Sequence, residues 1–365
     1  MSTLTVSIAM VIRNADRFLA EAIESILGQT FAEYEFIIVD YGSSDKSRSV
    51  VSSYAKHDRR IKFHVTANCS LAEARNSACL LAQGRYVAIM DADDVSLRDR
   101  LMWEVDFMEK HPKVGIVGGA TEWIDATGRS LCVNHFPIHD HEIRSSFGKV
   151  LAFCQPTVLI RREAFVQVGG YRAVFAQAED YDLWLRIAEH FQCANLRQVV
   201  LKYRIHPHQV SLRKRTQQTL CTLAAEISAS SRQNGDVDPL NTVKEITPSV
   251  LAGFGVSEAT QRAAVASEYA FWIRTMCTAG EYSAALNAAT EVLESPDWKY
   301  AGRVTTANVR LLMARAYWKQ KRFMKGVVTM SHALMTRPIL VGRPLKLLLR
   351  WLHVQISGSQ KSYSA

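Results

Sequence analysis

The sequence predicts an α/β fold, a mostly parallel sheet with helices on both faces, followed by an all-α C-terminal region. Three observations carry this. Short β-branched runs alternate with helix-period segments over the first 120 residues, acidic clusters fall where two of those runs end, and almost everything beyond residue 241 reads as helix. Taken in order, Val6–Ile12 is a buried strand, after which Phe18, Ala22, Ile23, Ile26 and Leu27 recur at helical spacing and stop at Gly28. Residues 36–39 form a second strand, a polar turn and a helical stretch to about His57 follow, and Ile61–Val65 is a third strand. Ser70 with Glu73 three residues later reads as a capping box that opens a helix through Leu81. Tyr86–Met90 is the next strand. Strands separated by single helices imply parallel pairing, and such sheets bind ligands beyond the carboxyl ends of their strands. Asp40 and the group Asp91, Asp93 and Asp94 lie at those ends. From about 110 to 205 the pattern turns mixed, with strand-like runs at 114–118, 158–160 and 199–204 and a helix over 182–190.

With 365 residues the chain favours two domains. The expected division is an α/β domain over 1–215 and a helical domain over 216–365, with a polar linker at 230–241. At 48% hydrophobic and 22% charged residues the composition excludes a disordered, collagenous or coiled-coil chain. Seven cysteines without close pairing suit neither a disulfide framework nor a zinc site, so reduced cytosol is the expected compartment. No secretory leader and no apolar run of membrane-spanning length is visible. The net charge of +9 divides unevenly: residues 1–200 carry 22 Lys and Arg against 25 Asp and Glu, whereas 201–365 carry 22 against 10. After Asp297 there are 13 basic residues and no acidic one. That bias points to an anionic partner, and with no zinc-finger, RNA-binding or helix-turn-helix signature nucleic acid is not expected.

Carboxylates grouped at a strand end suit a hard divalent cation, which can bridge the phosphates of a nucleotide. On its own an Asp-x-Asp group is as often a solvated turn. Its surroundings decide the matter, because Val6–Asn14, Ile38–Asp45, Ala74–Asn76, Gly84–Asp94, Gly169–Tyr171 and Ala178–Arg186 occur in that order. Together these segments resemble the family 2 glycosyltransferases of the GT-A fold, over roughly residues 3–212. The resemblance implies an inverting transfer of sugar from a nucleotide-diphosphate donor with Mn²⁺ or Mg²⁺ as cofactor. It implies that Asp40 and Arg75 hold the base, usually uracil, that Asp91 contacts the ribose and Asp93 the metal, and that Asp180, beside Glu179, is the catalytic base. The segment Tyr203, Arg204, His206 resembles the family's Tyr-Arg-x-His run, with His206 on the metal or the diphosphate and Arg204 against phosphate charge. Two departures stand out. Tyr41 replaces a second acid after Asp40, where it could stack on the base, and Ala9 to Arg13 replaces a proline-threonine-tyrosine loop, which places Val11 in a reshaped nucleoside pocket.

The C-terminal part carries a weak internal repeat at an offset of about 41 residues, similar to a pair of tetratricopeptide-type hairpins: Gly280 to Tyr282 is echoed near Arg322 and Phe323, and Pro296 by Pro338. Arg343, Lys346, Arg350 and His353 fall at helical spacing among leucines, a pattern for the interface of an anionic membrane. The expected partners are a nucleotide sugar, a glycan or lipid-linked acceptor in cell-surface polysaccharide synthesis, and an anionic membrane surface at the cytoplasmic face. A catalytically silent GT-A domain that recruits a partner through its helices is the alternative, favoured by Tyr41 and disfavoured by the retention of Asp91, Asp93 and Asp180.

Overall fold

The computed structural model describes residues 4–67, 69–207 and 214–337. The chain divides into two compact units between Ser257 and Glu258.

In the first unit, β1 (Val6–Ile12), β2 (Tyr34–Asp40), β3 (Ile61–Val65) and β4 (Tyr86–Met90) pair in parallel in the order β3-β2-β1-β4. The crossovers are α1 (Leu19–Leu27), α2 (Ser47–Ala55) and α3 (Leu71–Leu80). The Ser70 hydroxyl accepts from Glu73 N while the Glu73 carboxylate accepts from Ser70 N, so the expected capping box forms. Every residue of β2 and β4 is buried, which is why β4 and residues 36–39 of β2 read as apolar runs.

Beyond β4 the sheet becomes mixed. Among the described residues nine strands join in one sheet of order β3-β2-β1-β4-β8-β6-β9-β5, with β7 on β6. The later strands are β5 (Val95–Ser96), β6 (Val114–Asp125), β7 (Ser130–Asn134), β8 (Leu159–Arg161) and β9 (Gln192–Ile205). Strand β8 runs antiparallel to both β4 and β6, while β6 and β9 are parallel. The runs expected at 114–118 and 199–204 are parts of strands of 12 and 14 residues. Their pairing shifts register three times, and such irregularity blurs a period-2 signal. The helices are α4 (Arg100–Lys110), α5 (Asp140–Ser146), α6 (Arg162–Gln167) and α7 (Glu179–His190). One face of the sheet packs Ile8, Met10, Phe36 and Met90 with α1 and α4, and the other packs Ala9, Val39 and Ile89 with α3 and α7.

The first unit extends beyond the expected boundary at 215. Helix α8 (Arg215–Gln233) buries Leu220, Cys221, Ala224 and Ala225 in the same core as Trp184 and Phe153. The polar segment 230–241 is pinned rather than loose. Asp238 is buried and its carboxylate accepts from Arg172 at 2.7 Å and Arg232 at 2.6 Å, while Arg172 also pairs with Asp182 of α7. The short α9 (Pro248–Gly253) completes this unit.

The second unit holds α10 (Glu258–Ala279), α11 (Tyr282–Glu294), α12 (Gly302–Lys319) and α13 (Phe323–Thr336). The 41-residue echo is visible in the backbone: Glu281 N donates to Met276 O and Arg322 N to Tyr317 O, both at 2.9 Å, beside left-handed Gly280 and Lys321. Pro338 and the basic run containing Arg343, Lys346, Arg350 and His353 lie outside the described residues. No helix among the described residues is long and apolar enough to cross a membrane.

Candidate active site

Asp40 ends β2 with its side chain fully buried. Its Oδ1 accepts from Gly42 N and Ser43 N, both at 3.1 Å, and from Arg48 Nη2 at 2.9 Å. Gly42 turns there with φ of 109°, a conformation open to glycine. Burial pulls the Asp40 carboxyl upward, but hydrogen bonds from Ser43, Gly42 and Arg48 outweigh it and hold the group below its ordinary value. Its Oδ2 is buried and has no hydrogen-bond partner among the described residues. A buried acceptor without a donor is costly, so an orphan of this kind is a place for a ligand N–H.

Arg75, on α3, connects the two halves of the site. Its guanidinium lies 2.6 Å from Glu179 and 3.6 Å from Asp91, so residues 104 and 16 positions away in sequence meet on one cation. The expected segments come together around it: Asn76 bonds both the N–H and the carbonyl of Tyr171 at 2.8 Å, and a Cβ on Gly170 would stand 2.6 Å from the Asn76 amide oxygen. Burial pushes the Asp91 carboxyl up to about 6 against the opposing charge of Arg75. Val11, Ala9 and Ile89 line, with Arg75 and Asp91, a cavity of about 10 Å³, room for roughly one water. Tyr41 stands nearby. The Arg13 guanidinium lies 5.7 Å from its ring centre, and burial holds its phenol up despite Arg75 and Arg13.

Asp93 and His206 touch, with Oδ2 and Nε2 3.0 Å apart. Asp93 keeps 31% of its side chain exposed, the most accessible carboxylate of the strand-end group. Asp94 turns inward: it accepts from Arg204 N at 2.7 Å, its other oxygen is an orphan, and burial with the neighbouring Asp93 and Asp91 charges pushes its carboxyl well up. Among the described residues no three His, Cys, Asp or Glu side chains converge on a point that could hold a metal by themselves. The donors present, one exposed carboxylate and one imidazole, match a hard cation that takes its remaining ligands from a diphosphate and water.

Arg204 sits differently from the phosphate contact expected of it. It is 2% exposed, its Nε donates to Asp93 O at 2.8 Å, its Nη2 to Glu21 at 2.6 Å, and it lies 4.6 Å from the Phe18 ring centre. It braces the acidic turn from behind. Phe18 also packs 5.1 Å from the His206 ring.

Glu179 and Asp180 open α7, as expected, and divide in environment. Glu179 is buried and commits Oε1 to Arg75, while Asp180 is only partly covered. Burial and the adjacent Glu179 charge push the Asp180 carboxyl up to about 7, with Arg75 opposing. An acid that titrates near neutrality is suited to take a proton.

Sequence reasoning missed Glu21 and Cys154, and it gave Phe18 and Tyr203 no role of their own in the site. The Cys154 thiol is raised by burial and by the Asp94, Asp91 and Asp180 charges, and the Tyr203 phenol by burial, Cys154 and the three strand-end aspartates, which places both among these groups. Glu21 and Cys154 carry no motif signal, since one lies in the first turn of α1 and the other in the segment before β8.

The profile of Glycosyl transferase family 2 matches residues 7–169. A Bacillus subtilis protein with the provisional name glycosyltransferase EpsE is 36% identical over 210 residues, 54% of this chain and 72% of that one. The O-antigen biosynthesis glycosyltransferase WbnJ of Escherichia coli is 30% identical over 211 residues, 55% of this chain and 80% of its own length. The Escherichia coli UDP-Glc:alpha-D-GlcNAc-diphosphoundecaprenol beta-1,3-glucosyltransferase WfgD is 29% identical over 220 residues, 59% of this chain and 82% of its own length.

Proposed function

The chain belongs to glycosyl transferase family 2, and from that premise we propose that it moves a sugar from a UDP-sugar to a hydroxyl of a glycan or lipid-linked acceptor in polysaccharide synthesis, with inversion. The observation that carries this is the junction at Arg75, which sets the strand-end Asp91 and the α7 pair Glu179 and Asp180 around one guanidinium. The orphan Oδ2 of Asp40 suits an N–H of the base, and Tyr41 and Val11 border the same region. Asp91 suits the ribose hydroxyls. Asp93 and His206 would hold Mn²⁺ or Mg²⁺, whose charge stabilises the departing diphosphate. Asp180 takes the acceptor's proton as its oxygen attacks the anomeric carbon. Glu179, tied to Arg75, positions α7 and leaves the proton to its neighbour. The basic bias of the C-terminal half and the diphosphoundecaprenol acceptor in the name of one relative support work at an anionic membrane surface.

The test is calorimetric titration of UDP with and without Mn²⁺, on the wild type and Asp93→Ala, with a panel of UDP- and GDP-sugars then screened for turnover. Binding should need Mn²⁺ in the wild type and lose that dependence in the variant. Equal, metal-independent affinity in both would sink the Asp93 assignment, and turnover of GDP-sugars alone would sink the uracil one.

A further inference from the structure

The outer face of α13 is apolar, and the chemistry around it selects one kind of surface. Gly326 and Ala333 are buried, and a Cβ on Gly326 would collide with the Trp318 indole of α12, so this side of α13 is fixed against its neighbour. The opposite side then carries Phe323, Met324, Val327, Val328 and Met335, exposed by 60, 76, 55, 49 and 69%. At 100° per residue these fall within one arc, joined by a single polar residue, Ser331. Helical stacks usually end on a polar face, whereas this last described helix shows apolar side chains.

Charge accompanies the stripe. Residues 302–337 contain eight Lys and Arg and no Asp or Glu. Lys319, Lys321, Arg322 and Lys325 are all exposed at the turn where Phe323 and Met324 point outward. Apolar side chains collared by lysines, with no carboxylate to repel a negative surface, are the features by which a helix lies in a lipid interface. The apolar residues enter the acyl boundary while the long cationic side chains reach the headgroups.

We propose that the α12–α13 hairpin docks on an anionic lipid bilayer, with the Phe323–Met335 stripe of α13 lying in the interface. This deepens the membrane-surface reading given above and rests on it. It names a site on the folded hairpin, distinct from the basic run at Arg343, Lys346 and Arg350.

The experiment is sedimentation of the full chain with vesicles of phosphatidylglycerol and phosphatidylcholine, or of phosphatidylcholine alone, over a salt series. The wild type should bind only the anionic vesicles, and more weakly as salt rises. Met324→Glu with Val328→Glu, both outward-facing, should lower the partition coefficient at least about tenfold with an unchanged melting temperature and oligomeric state. Arg343→Gln, Lys346→Gln and Arg350→Gln together should lower it less. If the glutamate pair binds as the wild type does while the tail variant does not, the α13 site is wrong and the membrane reading survives. No binding by the wild type overturns both. A lower melting temperature for the glutamate pair would mean that the chain's own segment covers the stripe, and a change of oligomeric state would mean that a second copy does; either overturns the proposal. UDP titration on the same samples reads the transferase assignment independently.

Discussion

Replacing Asp180 with asparagine separates a proton acceptor from a hydrogen-bond acceptor in the first turn of α7, and the structure gives the effect a sign as well as a size. Asp180 is the second residue of α7, and its Oδ1 accepts from Tyr181 N at 2.8 Å, a bond that an asparagine oxygen can also accept, so the start of α7 should survive. The acceptor is lost, and a general base contributes about 10²–10⁴-fold, or roughly 2.7–5.4 kcal/mol of barrier. With its carboxyl up at about 7, wild-type turnover should fall about tenfold per pH unit below 7, and Asp180→Asn should abolish that slope. Stability should move the other way. A carboxyl raised from 3.8 to about 7 on folding holds its proton more tightly in the folded chain, so it costs stability progressively as pH rises through that window. Asp180→Asn should therefore melt higher than the wild type at pH 7.5, by at least about 2 °C, and match it near pH 4. Single-turnover transfer across pH, UDP titration and thermal melting on Asp180→Asn and Glu179→Gln read these together. Near-normal transfer by Asp180→Asn, or a pH slope that persists in it, would move the base elsewhere.

Two further substitutions probe the elements around that group. Arg75→Met leaves the buried Glu179 carboxylate without its cation, and breaking such a pair costs about 3–5 kcal/mol, so urea melts should show a large loss that Arg75→Lys partly restores. If Arg75→Met unfolds at the wild-type midpoint, the junction is not what holds α3 to α7. Glu21→Gln loosens the brace behind Asp93 through Arg204, and because Glu21 is 54% exposed the melting temperature should barely move, while Mn²⁺-dependent UDP affinity should drop roughly three- to tenfold. Unchanged UDP affinity would make Arg204 a packing residue alone.

The half of the fold that builds the nucleotide side was legible because its physics is local. Buried parallel strands read as apolar runs, the Ser70–Glu73 cap needs only four residues, and Asp40 ends β2 while Asp91 directly follows β4. The other half was opaque where partners are distant in sequence. Strand β5 has two residues, too few for any period, and it exists because Val95 and Ser96 pair with Lys202 and Leu201. Helix α8 lies past the expected boundary because a helix amphipathic enough to stand apart is equally able to lie on Trp184, and the sequence alone does not distinguish the two.

The same distinction explains why residue roles were harder to read than residue membership. Arg204 looks like a phosphate ligand in a linear motif, since a cation near a diphosphate site has an obvious use. The partners of its guanidinium, Glu21 from α1, the Asp93 carbonyl of the acidic turn and the Asp125 carbonyl at the end of β6, come from three places, and their convergence leaves the side chain 2% exposed. The arrangement has an electrostatic consequence. Four carboxylates, Asp91, Asp93, Asp94 and Asp180, share one region, and three of them are raised by burial and mutual repulsion. Such a cluster is unstable when fully ionised unless cations enter it. Arg75 and Arg204 supply fixed positive charge from behind, and the exposed side of Asp93 leaves the remaining excess facing the cleft, where a mobile cation arriving with a diphosphate would be most strongly attracted.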